Sequence, residues 1–443
     1  MVDEMDEVNL VACVIVNYRS PWEMLKSCLE SVTRESDAVP CRIIIVDNAS
    51  GDGVIAKVRD EFPAVEVIRM PGNPGFAAAV NRGLEKVDEP YVLMLNTDAI
   101  LAEGALVKMV AALEDAGDDV AGVAPKMMSS SHEGVIDAIG IVVPPTGAAF
   151  NRGIGQCDLG QYDSGGSGRR GYRGDGGGNR DEVAGVCFGA GLLKRELFRP
   201  DKVGPLYEGY FLYFEDSDWC VRAISQGYHF LTVPEAVVRH LHSGVARNES
   251  LDFKYGLIEL NTLKMVTRTF ESRLRVGRIV GSRCLRLLAR TFIRRRFIGP
   301  NLKTIAAYLA GLPQLLRERR QLQAKRVVSD TRIFDMARGE DAYFDTVAYH
   351  PDRCLDSLID TYLRLLKKSG DPEAGKLLAA LCRLRREANG GGGGKAAAGS
   401  GKAAPGSGKA AGRNIIIDEE ITALFASEPP CVRELLDRAL RNP

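Results

Sequence analysis

Short β-branched runs alternate with helical patterns over the first 125 residues of the chain. Strands are predicted at 11–16, 42–46, 65–68, 91–95 and 120–124, and helices at 21–34, 76–87 and 103–116. Helical crossovers of this kind join parallel strands. The sequence therefore predicts an α/β fold over residues 1–250, with a mostly parallel sheet flanked by helices.

The alternation is interrupted between residues 151 and 181, where glycine is frequent and no apolar face is available for burial. This segment is predicted to be a mobile surface loop inserted in the sheet domain. Strand texture resumes at Val183, followed by a predicted helix at 215–226 and a strand at 228–233.

Further modules are predicted beyond residue 250. Helical periodicity over 251–388 predicts a helical domain with a basic surface. Residues 389–413 are almost wholly Gly, Ala, Lys and Ser, which predicts a flexible linker, and 414–443 predict a short helical tail.

Charge is balanced over the whole chain but not along it. The 58 Lys and Arg residues equal the 58 Asp and Glu residues, so net charge does not point to a nucleic-acid partner. Between Arg273 and Arg326, fifteen basic residues accompany one acidic residue, Glu318. Such a segment either covers a solvated surface or contacts an anionic membrane surface.

Cysteine usage and the N-terminus bear on the compartment. The ten cysteines lie mostly in apolar runs and form no C-x-x-C pair, which is typical of a reducing cytosol. The acidic N-terminus does not resemble a signal peptide, and no window has the roughly 18 apolar residues that a membrane span needs. We therefore expect a cytoplasmic protein.

Polar clusters follow three predicted strands, where the carboxyl ends of parallel strands meet. They are Asn17-Tyr18-Arg19-Ser20, Asp47-Asn48-Ala49-Ser50 and Asn96-Thr97-Asp98. One such cluster is typical of a turn or helix cap, but three at one sheet edge indicate a ligand site. Asp47 suits a nucleobase N–H, and Asp98 suits a divalent ion on a diphosphate. The helix start at 73–83 either faces an anion or is an ordinary helix start.

Glu215, Asp216 and Asp218 follow an apolar, aromatic run. Acidic residues at a helix N-terminus are stabilised by the helix dipole without any function, yet carboxylates next to an apolar run also suit a general base. Further along, His240 and His242 lie on the same side of an extended chain, either as a surface pair or with one of them as a metal ligand.

Eight motifs, in this order, resemble family 2 glycosyltransferases of the GT-A fold, particularly the branch with bacterial rhamnosyltransferases and galactofuranosyltransferases. The resemblance covers about residues 10–270. The motifs are VNYRS (16–20), VDNAS (46–50), NPGFAAAVNRG (73–83), LNTDA (95–99), DLGQYD (158–163), GVCFGAGLLKRELF (185–198), YFLYFEDSDWCVRAISQGY (210–228) and VPEAVVRHLHSG (233–244).

The resemblance implies roles for individual residues. Asp216 is then the catalytic base, Glu215 positions the acceptor or sugar, and Asp98 and His240 are ligands of a divalent cation, Mn²⁺ or Mg²⁺. Asn96 stands where many relatives have the first Asp of the metal-binding element. The implied donor-binding residues are Asn17, Tyr18, Asp47, Asn48, Asn73, Asn81 and Asn96.

The implied function is inverting, metal-dependent transfer of a sugar from a nucleotide diphosphate sugar to a hydroxyl of a cell-surface or lipid-linked glycan. We favour dTDP-rhamnose as the donor, with a UDP-hexose as the alternative. A lipid-linked acceptor favours contact between 273–326 and the inner face of the plasma membrane. Residues 164–180 depart from the family pattern, either as an acceptor lid or as a tolerated surface excursion.

Two other functions remain open on the residues alone. One is a non-catalytic protein that binds nucleotide sugars or assists assembly. The other is a sugar-phosphate nucleotidylyltransferase, although no glycine-rich basic signature lies at the first strand.

Overall fold

The computed structural model describes most of the chain, in two compact units. The described residues are 9–163, 171–173, 179–241, 251–293, 298–338, 358, 362, 372–389, 425, 428–433 and 436. One unit comprises Met1–Ser131, Asp137–Arg152 and Arg169–Asp341, and the other comprises His132–Ile136, Gly153–Gly168 and Ala342–Pro443.

An eleven-stranded sheet forms the centre of the first unit. Its strands are β1 (Val11–Asn17), β2 (Cys41–Asp47), β3 (Glu66–Arg69), β4 (Tyr91–Asn96), β5 (Ala99–Leu101), β6 (Val120–Ser129), β7 (Ile136–Ala138), β10 (Gly171–Arg173), β11 (Asn179–Val183), β12 (Ala190–Lys194) and β13 (His229–His240). Two short strands, β8 (Ile141–Val142) and β9 (Phe150–Asn151), pair separately. The sheet order is β10-β11-β13-β6-β12-β4-β1-β2-β3, while β5 pairs with β13 and β7 with β6.

The helices follow the strands largely as predicted. They are α1 (Trp22–Ser36), α2 (Val54–Glu61), α3 (Phe76–Leu84), α4 (Ala105–Glu114), α5 (Glu215–Ser225), α6 (Leu251–Thr269), α7 (Arg273–Ile293), α8 (Ile298–Ala324), α9 (Asp330–Met336) and α10 (Pro372–Asn389). Helix α2 has no counterpart among the predicted helices.

The predicted mostly parallel sheet flanked by helices is confirmed. Strand β1 pairs in parallel with β2 and β4, and β2 does so with β3. Strand β12 departs from the parallel arrangement, because it lies antiparallel between β4 and β6. The sheet is therefore mixed at its centre.

Alternation along β1 explains the layering of the sheet. Ala12 and Val14 pack into one buried apolar cluster, while Cys13 and Ile15 pack into the cluster on the opposite face. Helix α3 lies close against β1, because a Cβ on Gly83 would come within 2.7 Å of Val14 Cγ1. Both faces of the sheet are thus covered.

The segment 151–181, predicted as a loop, contains two short strands. Residues 171–173 and 179–183 form the strands β10 and β11, and β11 pairs with β13. Backbone N–H and C=O groups pair with a neighbouring strand even where the side chains show no apolar periodicity. Residues 164–170 and 174–178 lie outside the described residues.

The predicted domain boundary at residue 250 does not separate the compact units. Helices α6 to α9 belong to the unit that holds the sheet. The second unit has its own apolar cluster, in which Leu377, Leu381 and Leu384 of α10 pack with Cys157 and Phe425. The predicted linker lies outside the described residues apart from Asn389, and a short helical stretch occurs at 430–433 of the predicted tail.

Among the helices of the described residues, none combines the length and the apolar character that a bilayer span requires.

Candidate functional site

The predicted polar clusters meet at the carboxyl edge of the sheet. In the parallel register, Asn17 of β1 lies beside Asp47 of β2, and Val16 lies beside Asn96 of β4. Thr97 follows β4, and its hydroxyl lies 2.8 Å from the hydroxyl of Ser20 after β1. The three loops therefore form one continuous edge.

Asn17 organises the first part of this edge. Its Nδ2 donates to Asp47 Oδ1 at 3.1 Å and to Ser50 Oγ at 3.0 Å, and all three side chains are buried. Its Oδ1 is buried and accepts no hydrogen bond within the described part of the chain. An unsatisfied buried acceptor is costly, so this position suits an N–H or O–H supplied by a ligand.

The backbone around Asn17 is held in an uncommon conformation. Arg19 and Ala49 both have left-handed backbones, with φ of 52° and 59°. The Arg19 N–H donates to Ser50 Oγ at 2.9 Å, which ties the two loops together. Tyr18 is half-buried, and the Arg19 guanidinium lies 5.2 Å from the centroid of its ring. Strain of this kind is concentrated at functional sites.

A second group of contacts connects β2 to the start of α3. Asn48 Nδ2 donates to Asn73 Oδ1 at 2.8 Å, and the same oxygen accepts from the Gly75 N–H at 3.1 Å. The next N–H, of Phe76, donates to the Phe211 carbonyl at 2.8 Å. Gly75 has φ of 102°, and a Cβ there would lie 2.4 Å from the Phe211 oxygen, so only glycine allows this approach.

The side chain of Asn81 binds neighbouring backbone. Its Nδ2 donates to the Leu206 carbonyl at 3.0 Å and its Oδ1 accepts from the Leu206 N–H at 2.9 Å. Its Nδ2 also lies 2.9 Å from Glu208 Oε1. Asn81 thus fixes the loop after Leu206, and its predicted contact with a donor stays a prediction.

Asp98 and His240 come together at the end of β13. His240 Nε2 lies 3.1 Å from Asp98 Oδ1, and His240 Nδ1 lies 2.7 Å from Asp137 Oδ2. All three residues are buried. Burial alone would lower the pKa of His240, but hydrogen bonds and charge from Asp137 and Asp98 raise it to about 10. His242 lies outside the described residues.

The donor atoms of this cluster suit a divalent cation. A carboxylate oxygen and a neutral imidazole nitrogen are both ligands of Mn²⁺, so a cation here would take the place of the proton on His240 Nε2. Asp137 would orient the ring of His240 from behind, as outer-shell carboxylates do. Over the described residues, no group of three His, Cys, Asp or Glu side chains is arranged to hold a metal by itself. Asp98 and His240 therefore suit a cation whose remaining coordination positions are filled by phosphate oxygens and water.

Glu215 and Asp216 begin helix α5. Burial and the adjacent Asp216 carboxylate raise the pKa of Glu215 to about 8. Burial also raises the pKa of Asp216, although hydrogen bonds from Ser217 and the Phe188 N–H oppose this rise. The Ser217 N–H donates to Asp216 Oδ1 at 2.6 Å. The two carboxyl groups therefore titrate as one coupled pair, and burial raises the pKa of both.

The acid pair and the Asn96–Asp98 loop lie close together. Cys220, one turn after Asp216 on α5, donates from Sγ to the Val186 carbonyl at 3.8 Å, and Gly189 accepts from the Asn96 N–H at 3.0 Å. Asn96 Nδ2 would lie only 3.3 Å from a Cβ on Gly189. One segment before β12 thus contacts both the helix of the acid pair and this loop.

The turn that leads into Glu215 is strained. Tyr213 and Phe214 have φ of 69° and 76°, which is unusual for two successive aromatic residues. Buried Asn261 of α6 donates from Nδ2 to the Leu212 and Tyr213 carbonyls, each at 2.9 Å. Asn261 therefore holds the backbone from which the acid pair emerges.

Helix α6 contacts the same loop at two further positions. Lys264 Nζ donates to the Gly209 carbonyl at 2.7 Å, and the Arg268 guanidinium lies 3.6 Å from the centroid of the Tyr207 ring. Arg268 also pairs with buried Asp218. Burial would raise the pKa of Asp218, but the charges of Arg268 and Arg222 hold it below its usual value. Asp218 is thus a structural ion-pair partner.

Two residues of this site were missed by sequence reasoning. Asp137 lies in the three-residue strand β7, and Asn261 lies within a long helix. Neither stands in a motif or at a strand end that marks a ligand site. Asn261, Lys264 and Arg268 do share one face of a helix by their spacing, which was the available signal.

The comparison with protein families identifies the N-terminal part of the chain. Residues 12–132 match the family described as Glycosyl transferase family 2. This segment is similar to that family, and it carries Asn17, Asp47 and Asp98 but ends before Asp216 and His240. No curated protein matches the chain.

Several solved structures resemble the chain at low identity. GalNAc-T7 with UDP, GalNAc and Mn²⁺ has a TM-score of 0.45 at 16% identity, over 59% of this chain and 48% of that one. The mannosyltransferase PcManGT from Pyrobaculum calidifontis, in complex with GDP-Man and Mn²⁺, has a TM-score of 0.39 at 15% identity, over 75% and 86%. S. aureus TarS 1-349 with UDP has a TM-score of 0.40 at 12% identity, over 75% and 90%. The chain thus spans about half the length of GalNAc-T7.

Proposed function

We propose that the protein is an inverting glycosyltransferase that moves a sugar from a nucleotide diphosphate sugar to a hydroxyl of a cell-surface or lipid-linked glycan. The observation that carries this proposal is the approach of two groups to the segment before β12. Helix α5, which begins with the acid pair, contacts this segment where Cys220 Sγ lies 3.8 Å from the Val186 carbonyl, and the loop with Asp98 contacts it where the Asn96 N–H donates to Gly189. One segment thus joins the helix of the proposed proton acceptor to the loop that suits a diphosphate.

Asp216 supplies the base in this proposal. Its carboxylate takes the proton of the acceptor hydroxyl while that oxygen attacks the anomeric carbon on the face opposite the nucleotide. The bond between the anomeric carbon and the phosphate oxygen breaks, and the configuration inverts. Glu215, whose pKa is raised to about 8 by burial and the charge of Asp216, offers a hydrogen bond to the sugar or acceptor.

Asp98 and His240 hold the divalent cation in this proposal. Bound there, the cation would neutralise the charge of the diphosphate leaving group. Asp137 keeps the His240 ring in place through the contact at Nδ1. The nucleobase side of the donor would lie against Asn17 and Asp47, whose carboxylate can accept an N–H from a pyrimidine.

We propose dTDP-rhamnose as the donor, with a UDP-hexose as the alternative, and a panel of nucleotide sugars tests both. Each is added to the full chain with Mn²⁺, Mg²⁺ or a chelator, and the unfolding temperature is measured. The true donor should stabilise the fold by about 2.7 kcal/mol at a hundred times its Kd, and only with metal.

The same panel includes a sugar phosphate with a nucleoside triphosphate as its control. Stabilisation by that mixture and not by any nucleotide diphosphate sugar would contradict glycosyl transfer and favour a nucleotidylyltransferase. Stabilisation that persists in chelator would contradict the role of the cation.

Asn261→Ala is expected to impair turnover without weakening donor binding. The variant loses both hydrogen bonds to the strained turn, at about 1 kcal/mol each, so Tyr213 and Phe214 relax and Asp216 shifts. Because displacement by about 1 Å costs up to 100-fold, kcat should fall at least about tenfold. Calorimetric affinity for the nucleotide should stay unchanged.

Asn301→Ala is the matched control for this prediction. Asn301 is also buried and donates from Nδ2 to a helix carbonyl, that of Leu287, at 2.9 Å. Its loss should lower the unfolding temperature to a similar extent and leave kcat intact. Equal kcat values in the two variants would remove Asn261 from the positioning role.

A further inference from the structure

Exposed apolar side chains are concentrated on helices α7 and α8. On α8, Leu302 is 50% and Leu309 57% exposed, with Ile298 and Leu316 also exposed. At 100° per residue, these four positions lie within about 40° of one another on one helix face. On α7, Leu274 and Leu285 are 66% and 68% exposed and share a face in the same way. We call these two faces the leucine stripes.

The leucine stripes lie outside the faces that pack in the protein core. On α8, Thr304, Tyr308 and Leu315 are buried, and Tyr308 bonds Thr267 of α6. On α7, Ile279 and Leu287 are buried. Helix α6 contacts both helices. The fold of this unit therefore does not need the exposed leucines for its own packing.

Basic residues accompany both stripes. Arg278 continues the stripe of α7, while Arg320 continues that of α8 and Arg317 lies beside it. All three are exposed, and none forms an ion pair with any residue that the structure describes. Glu318, the acidic residue of the segment, is engaged by Arg268 at 2.8 Å. Each stripe is therefore apolar and positive, with no free negative charge from Glu318.

This charge pattern distinguishes between partners. A second copy of the chain would bring its own arginines against Arg317 and Arg320, and like charges at such an interface are unfavourable. An anionic bilayer accepts both features, since leucines enter the boundary of the acyl chains and arginines pair with lipid phosphates. Charge complementarity thus selects the bilayer.

We propose that the leucine stripes of α7 and α8 dock on the surface of an anionic membrane. The helices lie in the plane of the interface and do not cross it. Docking would bring the transfer site to the membrane surface, where a lipid-linked acceptor is anchored. This proposal extends the proposed transfer reaction but does not depend on it.

Flotation of the full chain with vesicles tests the proposal. Vesicles of phosphatidylcholine alone are compared with vesicles that also contain phosphatidylglycerol, at low and high salt. We expect binding to the anionic vesicles, with a loss of at least about tenfold in the triple variant Leu302→Ser, Leu309→Ser, Leu316→Ser. High salt should weaken the binding as well.

The control is the double variant Val107→Ser, Val327→Ser, which removes exposed apolar side chains outside α7 and α8 and should float as the parent does. Circular dichroism should show that all variants are folded.

Failure to float, or equal flotation on both vesicles, would overturn the proposal. So would a dimer in light scattering that the triple variant abolishes. A catalytically inactive chain that still floats would instead count against the proposed transfer alone.

Discussion

Replacing Asp216 with asparagine is expected to abolish sugar transfer while nucleotide binding survives. The amide keeps the shape of the side chain and can still accept the Ser217 N–H, but it cannot take a proton from the acceptor hydroxyl. General base catalysis contributes about 10²–10⁴-fold, so kcat should fall by at least about 10³-fold. Calorimetric affinity for the nucleotide and the unfolding temperature should remain near those of the parent.

The pH dependence of kcat in the parent protein is a second test of Asp216 as the base. Only the carboxylate form of Asp216 accepts a proton, so kcat falls as pH drops through the pKa of the acid pair. Burial raises the pKa of Asp216, which moves this acid limb above the ordinary range of an aspartate, near 3.9. The exposed Asp201, changed to asparagine, serves as the matched control and should preserve both kcat and the limb. Near-normal turnover of Asp216→Asn would remove Asp216 from the role of base.

The sheet edge was predictable because its signals are local. A parallel strand is a short apolar run, and whatever polar residue follows it lies at the carboxyl edge. Asn17 and Asp47 follow such a run directly and Asp98 comes three residues after Leu95, and the structure places the three loops along one edge. Their relative position follows from strand register, which the helical crossovers fix.

The remaining contacts depend on pairings that no local pattern contains. Strand β12 enters the sheet antiparallel between β4 and β6, and a strand of five residues does not reveal its neighbours. Asp137 reaches His240 across 103 residues of chain, and Asn261 reaches Tyr213 across 48. A polar residue in a short strand or a helix is ordinary in sequence. Only the packing of distant segments makes these two part of the site.

The burial of the acid pair was anticipated in kind but not in detail. The aromatic run before Glu215 indicated an apolar environment, and burial does raise the pKa of both carboxyl groups. Three adjacent carboxylates did not show which one was structural. Asp218 lies two residues after Asp216 on the same helix, and its pairing with Arg222 at 2.9 Å separates it from the pair.

Replacing Asp98 with alanine is expected to remove the dependence of donor binding on a divalent cation. The variant loses a carboxylate that lies 3.1 Å from His240 Nε2, so one of the two proposed protein ligands is gone. Loss of an outer-shell partner alone costs about 10–100-fold in metal affinity. Loss of a direct ligand should therefore weaken nucleotide-sugar binding with Mn²⁺ by at least about 100-fold, and chelator should then have little further effect.

Asp137→Asn is expected to weaken the same binding, but by less than Asp98→Ala. The amide keeps the size of the side chain but weakens its contact with His240 Nδ1, so affinity should fall by about 10–100-fold, less than in Asp98→Ala. Asp88→Ala is the control, because Asp88 is 95% exposed and pairs only loosely with Arg195 at 3.5 Å. Calorimetric titrations with Mn²⁺ and with chelator rank the four proteins. An unchanged titration for Asp98→Ala would contradict the proposed cation site, whereas a loss in Asp137→Asn as large as in Asp98→Ala would mean that Asp137 is itself a ligand.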